Sequence, residues 1–581
     1  MLPFHAYPRP LLERSEWTNL NGVWQYAITQ TADTPAAYDG DILVPFSPEA
    51  PMSGVNRQLK PGEYLHYFRT FTAPEGSAGR VLLHFGAVDY ACEVFINGRS
   101  VGSHTGGYLP FSFDITALLI DGENTLSLIV TDPSDTGHQA RGKQKLARGG
   151  MYYTAQSGIW QTVWMEHVPD AYISGIHVTP DFAAKTAKIR IAMGAGSAQG
   201  VRLSVFANGA SVAQGVTDAN GEATVDLSAA FFPWSPDAPF LYDVTAEHPQ
   251  GDRAKSYFAM RVFSREKDKN GLWRFTLNGK PILLNGLLDQ GYWPEGLYTP
   301  PSEEAMSRDI QTMKDMGFNL LRKHIKIEPQ RWYMHCDQLG MIVWQDMVNG
   351  GGKYADWFVT YAINVAPALL RHFPDSPLMR KLFARTDAAE RATYYAELEA
   401  MIRLLGDHPC IGGWVPFNEG WGQFDAKKAT ALIRRLDAQN RPIDEASGWF
   451  DQGGGDMYSV HNYFYPLRVK AKKDRVYALT EFGGIAWPCP GHCSDEKVYG
   501  YGTAKNQQEL TQRFKQLMLD TVKPQLKKGL AALVYTQVSD VEDEVNGLLT
   551  YDREIEKIAI ADVKQVNDAL YAEFERCVNA I

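Results

Sequence analysis

At about residue 266 the hydrophobic rhythm of this 581-residue chain changes, and the change limits the folds open to it. Upstream, short stretches alternate apolar and polar residues between turns. Arg80 to Asn97 alternates in this way and runs into Asn97-Gly98-Arg99, a hairpin signal, and Asn124 to Thr131 repeats the pattern. Residues 1–170 therefore predict a β-sandwich of the jelly-roll kind. Residues 171–265 continue in a shorter unit, with strands at 187–192, 201–207 and 223–227, and fit an immunoglobulin-like sandwich. Downstream, residues 266–581 alternate strand and helix. A strand-like Pro281 to Asn285 precedes a helix from a cap at Ser302 to Met316. A strand at Asn319 to Arg322, a helix at 330–338 and a strand at Met341 to Trp344 follow. Units of this size, repeated over about 315 residues, predict a (β/α)8 TIM barrel, whose reactive groups sit just beyond the C-terminal ends of its strands.

Two strand ends carry the chemistry. Cys410 to Trp421 is an apolar run that ends in Asn418-Glu419 between tryptophans, and apolar surroundings help a carboxyl hold its proton. Val476 to Gly484 repeats the design with Thr480-Glu481-Phe482 before a glycine turn. Either glutamate alone reads equally well as a loop cap. Two of them, 62 positions apart on strands of one barrel, meet the requirement of a retaining glycoside hydrolase for carboxyls about 5–5.5 Å apart.

The bulk numbers bound the rest. Net charge is −10 and no basic stripe is present, which argues against nucleic acid as a partner. The 12% aromatic content suits sugar-stacking grooves and large β-cores alike. Six scattered cysteines do not form a disulfide pattern. Cys489-Pro-Gly-His492-Cys493 has no second pair at zinc-site spacing, so the expectation is a loop, no metal and no cofactor. The first residues lack a signal-peptide pattern, and no apolar run reaches the ~20 residues of a membrane span. The expectation is a cytoplasmic protein with no membrane partner, for which a homo-oligomer stays open.

Several motifs together resemble glycoside hydrolase family 2, the group of β-galactosidases, β-glucuronidases and β-mannosidases. Asn19 to Trp24, Tyr67 to Thr72, Phe95 to Gly98 and Gly158 to Trp164 are similar to the family's sugar-binding jelly roll. Pro233 to Tyr242 is similar to the end of its immunoglobulin-like domain. Asn418-Glu419 resembles the acid/base motif and Thr480 to Gly483 the nucleophile motif. The resemblance implies a retaining exo-β-glycosidase acting on an oligosaccharide or other glycoside, with β-galactosidase first and β-mannosidase, β-glucuronidase or arabinosidase as alternatives. A carbohydrate-binding protein without turnover is the rival from another class. The resemblance also implies sugar contacts from Asn418, His324, Asp346 and His461, and a tyrosine, Tyr463 or Tyr465, bonded to the nucleophile. Gln537 is expected at the pocket floor, with Trp421, Asp289 and Tyr152 as further candidates; each of these residue types serves as well in a structural role. The Asn-x-Lys motif of the family's glucuronidases has no counterpart in the acidic stretch Val541 to Thr550, which lowers the rank of an anionic sugar. The long extra domains of the largest β-galactosidases are missing too, so their metal sites and tetramers are not carried over.

Overall fold

The computed structural model describes residues 4–73, 79–355, 357–362, 370–494 and 497–579. Its first unit is an antiparallel jelly roll of two main sheets. One orders the strands Gly40–Val44, Gly22–Thr29, Tyr64–Thr72, Glu123–Thr131, Ala91–Ile96 and Arg99–Thr105; the other is built on Arg80–Phe85 and Val163–Val168. Glu123–Thr131 shows why these residues form strands here: Asn124, Leu126, Leu128 and Val130 are buried, and the residues between them are not. That alternation places one face on the core with Trp24, Tyr67, Leu83 and Val94. The second unit pairs a three-stranded sheet (Tyr172–Asp181, Thr186–Ala195, Glu222–Asp226) with a four-stranded one, around Ile189, Val205 and Tyr242.

A buried ionic junction ties the start of the chain to both sandwiches. Arg14 donates to Glu166 at 3.0 Å and to Asp252 at 2.8 Å, and Arg9 donates to Glu166 at 2.7 Å. Burial pushes the Glu166 carboxyl up, but Arg9, His84 and Arg14 outweigh it and hold the pKa down at about 2.

The third unit is a TIM barrel. Its parallel strands are β1 (Leu284–Asp289), β2 (Leu320–Lys323), β3 (Ile342–Asp346), β4 (Ile411–Val415), β5 (Met457–Asn462), β6 (Val476–Gly483) and β7 (Leu530–Thr536). Their order around the sheet is β4-β3-β2-β1-β7-β6-β5. The gap between β4 and β5 is filled by the irregular segment 443–447. It makes parallel bridges from Ile443 to Trp414 and from Ser447 to Asn418, and Asp456 N–H bonds to the Ile443 carbonyl at 2.8 Å. Every residue of β1, β2, β3, β4 and β7 is buried, as expected of parallel strands covered on both faces. The helix Glu303–Asp315 starts as expected, with the Ser302 hydroxyl accepting from Ala305 N–H at 3.2 Å. It buries Met306, Ile310 and Met313 along one stripe.

One expected element divides in two. Pro281 to Asn285 is not a single strand: Lys280–Ile282 closes a small antiparallel sheet with Phe263–Lys267 and Trp273–Leu277, and β1 begins only at Leu284. Phe263, Phe275 and Leu277 of that sheet pack against Leu284, Leu320, Ile342 and Val476, at the strands' N-terminal ends. The opposite, C-terminal end is left for the site. Among the described residues no helix is long and apolar enough to cross a membrane, and all six cysteines are unpaired.

Glu166→Gln keeps the shape of the junction but leaves two buried guanidiniums short of charge. It is expected to cost about 3–5 kcal/mol, read as a lower midpoint in urea unfolding; an unchanged midpoint would show that the junction is not under electrostatic load.

Candidate active site

Arg322, at the C-terminal end of β2 and fully buried, organises the mouth of the barrel. Its Nε and Nη2 donate to the two oxygens of Asp346 at the end of β3, at 3.0 and 2.9 Å. Nη2 also donates to Asn418 Oδ1 beyond β4 at 2.8 Å. Nη1 donates to Glu481 Oε1 on β6 at 3.1 Å and to the Thr480 carbonyl at 3.2 Å. A guanidinium is the side chain that can serve several acceptors in one plane, and here they come from three further strand ends.

Glu481 is also held from its other oxygen. The Tyr463 hydroxyl donates to Oε2 at 2.9 Å and lies 2.8 Å from the Thr536 hydroxyl at the end of β7. Tyr463 therefore takes the place expected of Tyr463 or Tyr465; Tyr465 is exposed. The Tyr463 ring stacks on Tyr501 with centroids 3.6 Å apart.

Glu419 leaves β4 through a left-handed backbone, φ 51°, followed by Gly420 at φ 75°. Its N–H bonds to the Ser447 carbonyl at 3.1 Å, so the irregular eighth segment sets the turn that aims the carboxyl inward. Trp449 Nε1–H donates to Glu419 Oε1 at 3.1 Å, and His461 Nδ1 lies 2.7 Å from the same oxygen. His461 stands between the two glutamates, 3.5 Å from Glu481 Oε2, with its Nε2 3.0 Å from the Ser447 hydroxyl. The ring comes this close because residue 448 is glycine: a Cβ there would sit 2.4 Å from His461 Cγ. Oxygens of Glu419 and Glu481 and a ring nitrogen of His461 lie within 4.8 Å of one another.

Burial dominates the titration of this group. It raises the Glu419 carboxyl against the Trp449 N–H and the charges of Lys143 and Arg322, which lower it. Burial also raises Glu481, helped by the charge of Glu419 and opposed by His461, Arg322 and Lys143. It drives His461 down to about 4, so the ring is neutral at neutral pH. The two carboxyls differ in their partners: Glu481 accepts from a guanidinium and a phenol, while Glu419 accepts from an indole N–H and lies against the His461 imidazole. Glu419 is also the more open, with 20% of its side chain exposed against 6% for Glu481.

The other expected residues divide. Asn418, Asp346, His461 and Tyr463 join the cluster, and His324 joins it through Asp346 Oδ2, 2.8 Å from its Nδ1. Gln537 stands apart in a buried amide relay, accepting from Gln290 at 2.8 Å and donating to Asn546 at 2.7 Å. Asp289 is taken by Lys323 at 2.8 Å. Trp421 stacks on Tyr152 with centroids 5.6 Å apart, and its buried indole N–H has no partner among the described residues. Cys489 and Cys493 lie in a loop where His492 Nδ1 pairs with Asp552 at 2.8 Å and lies 3.8 Å from Glu554.

Arg322 and Trp449 were not singled out from the sequence. The strand end Arg322-Lys323-His324 marked the place, but nothing in it ranked Arg322 above His324. Trp449 follows Asp444-Glu-Ala-Ser-Gly448, which has no strand rhythm to announce a barrel position.

Known families bear on this arrangement directly. Residues 50–169 match the description "Glycosyl hydrolases family 2, sugar binding domain", 171–261 match "Glycosyl hydrolases family 2", and 269–567 match "Glycosyl hydrolases family 2, TIM barrel domain". The chain belongs to glycosyl hydrolases family 2. Relatives include a beta-galactosidase of Thermoanaerobacter pseudethanolicus, 24% identical over 440 residues, which are 73% of this chain and 54% of that protein. A beta-galactosidase of Aeromonas hydrophila is 29% identical over 450 residues, 72% of this chain and 39% of that protein. The chain thus spans about half or less of the length of these curated relatives. Among solved structures, a beta-glucuronidase of an uncultured Clostridium sp. superposes with a TM-score of 0.74 at 16% identity, covering 97% of this chain and 99% of that one. That likeness establishes the shared fold.

Trp449→Phe removes a donor that favours ionised Glu419. The Glu419 pKa is expected to rise further, moving the alkaline limb of the pH–rate profile to higher pH. A limb that stays in place or moves down would contradict this bond's role.

Proposed function

We propose that the protein is a retaining exo-β-glycosidase in which Glu481 is the nucleophile and Glu419 the acid/base. The observation that carries this reading is the approach of the two carboxyls, with oxygens within 4.8 Å, at the C-terminal end of one barrel. That spacing suits direct attack by a carboxylate better than the wider separation with which an inverting enzyme holds a water between its carboxyls.

In the first step Glu481, kept ionised by Arg322 and Tyr463, attacks the anomeric carbon while Glu419 passes its proton to the departing glycosidic oxygen. As the covalent ester forms, the negative charge on Glu481 is lost and Glu419 becomes ionised. The Trp449 N–H is in place to stabilise that new charge. In the second step Glu419 takes a proton from water, which attacks the ester from the face the aglycone left, so the anomeric configuration is retained. His461, neutral and touching Glu419, fixes the carboxyl without competing for its proton.

For the sugar, the names of the relatives at 24% and 29% identity support a β-galactoside. A lysine at the rim of the site, taken up below, favours a β-linked uronide. A carbohydrate-binding role without turnover has no use for the second carboxyl.

Glu481→Ala is expected to reduce hydrolysis of nitrophenyl β-glycosides by about 10^4-fold or more. Glu419→Ala should lose about 10^2- to 10^4-fold on alkyl glycosides and recover much of that on dinitrophenyl glycosides, which need no proton to leave. Near-normal turnover by Glu481→Ala would defeat the assignment, and silence of the parent protein across the whole panel would favour binding alone.

A further inference from the structure

Lys143 belongs to the jelly roll yet reaches the barrel's catalytic end. Its backbone is fixed from both sides. Arg141 and Gly142 N–H both bond to the Asn349 carbonyl beyond β3, at 3.0 and 3.1 Å. Gly142 is left-handed at φ 61°, and a Cβ there would lie 2.9 Å from the Ile325 carbonyl, next to His324. On the other side the Gln144 amide donates to Asp89 at 3.2 Å and to Tyr108 at 3.1 Å, and accepts from Gln156 N–H at 2.8 Å.

The side chain of Lys143 is set apart from the other buried lysines. Lys323 donates to Asp289 and Glu328, both at 2.8 Å. Lys326 donates to Glu328 at 2.9 Å and to two carbonyls, and Lys557 donates to Asp540 at 2.7 Å. Lys143 is 7% exposed, but its ammonium has no hydrogen bond and no ion pair among the described residues. It stands over the face of Tyr153, 5.5 Å from the ring centroid. It lies close enough to Glu419, Glu481 and His324 for its charge to lower the pKa of each.

Nearby carboxylates are engaged elsewhere. Glu542 accepts from Thr154 N–H at 3.0 Å, Asp543 from Arg148 at 2.6 Å, and Glu544 from the Tyr153 hydroxyl and from Asn546. The acidic stretch that, from sequence, argued against an anionic sugar is therefore already satisfied. An ammonium without a counter-charge loses its water when a sugar docks against it, which is costly; a hydroxyl cannot neutralise that charge, whereas a carboxylate can.

We propose that Lys143 is a substrate-contacting specificity residue whose ammonium pairs with the carboxylate of the sugar, making the preferred substrate a β-linked uronide. This rests on the glycosidase reading above and deepens it. It also assigns sugar recognition to a loop of the first domain, clamped across the barrel's strand ends.

The test compares kcat/KM of the full chain on matched nitrophenyl pairs: β-galacturonide with β-galactoside, and β-glucuronide with β-glucoside. The parent protein is expected to prefer the uronide of at least one pair. Lys143→Met should lower that pair's uronide-to-neutral ratio by about 30-fold or more, and Lys143→Arg should restore most of it. Lys143→Gln serves the same comparison if the methionine variant does not fold. A parent protein that prefers the neutral sugar in both pairs, or a ratio that Lys143→Met and Lys143→Gln leave unchanged, would overturn this inference and leave the glycosidase reading standing. Silence on all four substrates would overturn both.

Discussion

The catalytic end of this barrel depends on the guanidinium of Arg322. It is fully buried, and its charge is met by Asp346 in two hydrogen bonds and by Glu481 in a third. Four strand ends meet at this one group, because Asn418 and the Thr480 carbonyl complete its acceptors. The spacing of those ends is thus fixed by an ionic network with little freedom to relax. The same cation keeps a negative charge affordable on Glu481 in surroundings that otherwise push its pKa up. Removing it would both loosen the barrel mouth and protonate the proposed nucleophile.

Around that centre, each domain contributes something the barrel lacks. The small sheet at 263–282 packs against the N-terminal ends of the strands and leaves the C-terminal end open to substrate. The jelly roll sends the loop around 141–154 over that open end, anchored on the Asn349 carbonyl and the acidic stretch 542–544. The Arg14–Glu166–Asp252 junction ties the first two domains together far from the chemistry. A site assembled between domains in this way can change its sugar preference in a surface loop while the carboxyl pair stays put.

Much of the fold was legible because its strands obey two different rules. Alternating burial announced the sandwiches, and fully apolar runs bounded by helices announced the barrel. Glu419 and Glu481 stood out because each ends such a run. The segment 443–447 escaped notice because Asp444, Glu445 and Ser447 are polar and its pairing is reduced to isolated bridges. With it went Trp449, the indole donor to Glu419. Arg322 was passed over for His324 because sequence adjacency does not say which side chain turns inward. Lys143 could not be found at all from its own stretch, since its importance comes from Gly142 and Gln144 being held by residues more than 200 and more than 30 positions away, respectively. Pattern along a chain reports burial well; it does not report which polar groups from distant elements share one cavity.

The central claim is that Glu481 becomes covalently bonded to the sugar, and trapping that ester tests it most directly. A 2-deoxy-2-fluoro glycoside with a dinitrophenyl leaving group destabilises both transition states but, through its leaving group, still lets the ester form. Incubation with the fluorinated form of the best substrate, followed by peptide mass mapping, should show one added fluoroglycosyl group on Glu481, accumulating as activity is lost. Inactivation with the label on Glu419 or on another residue, or turnover of the parent substrate with inversion at the anomeric carbon, would contradict the account.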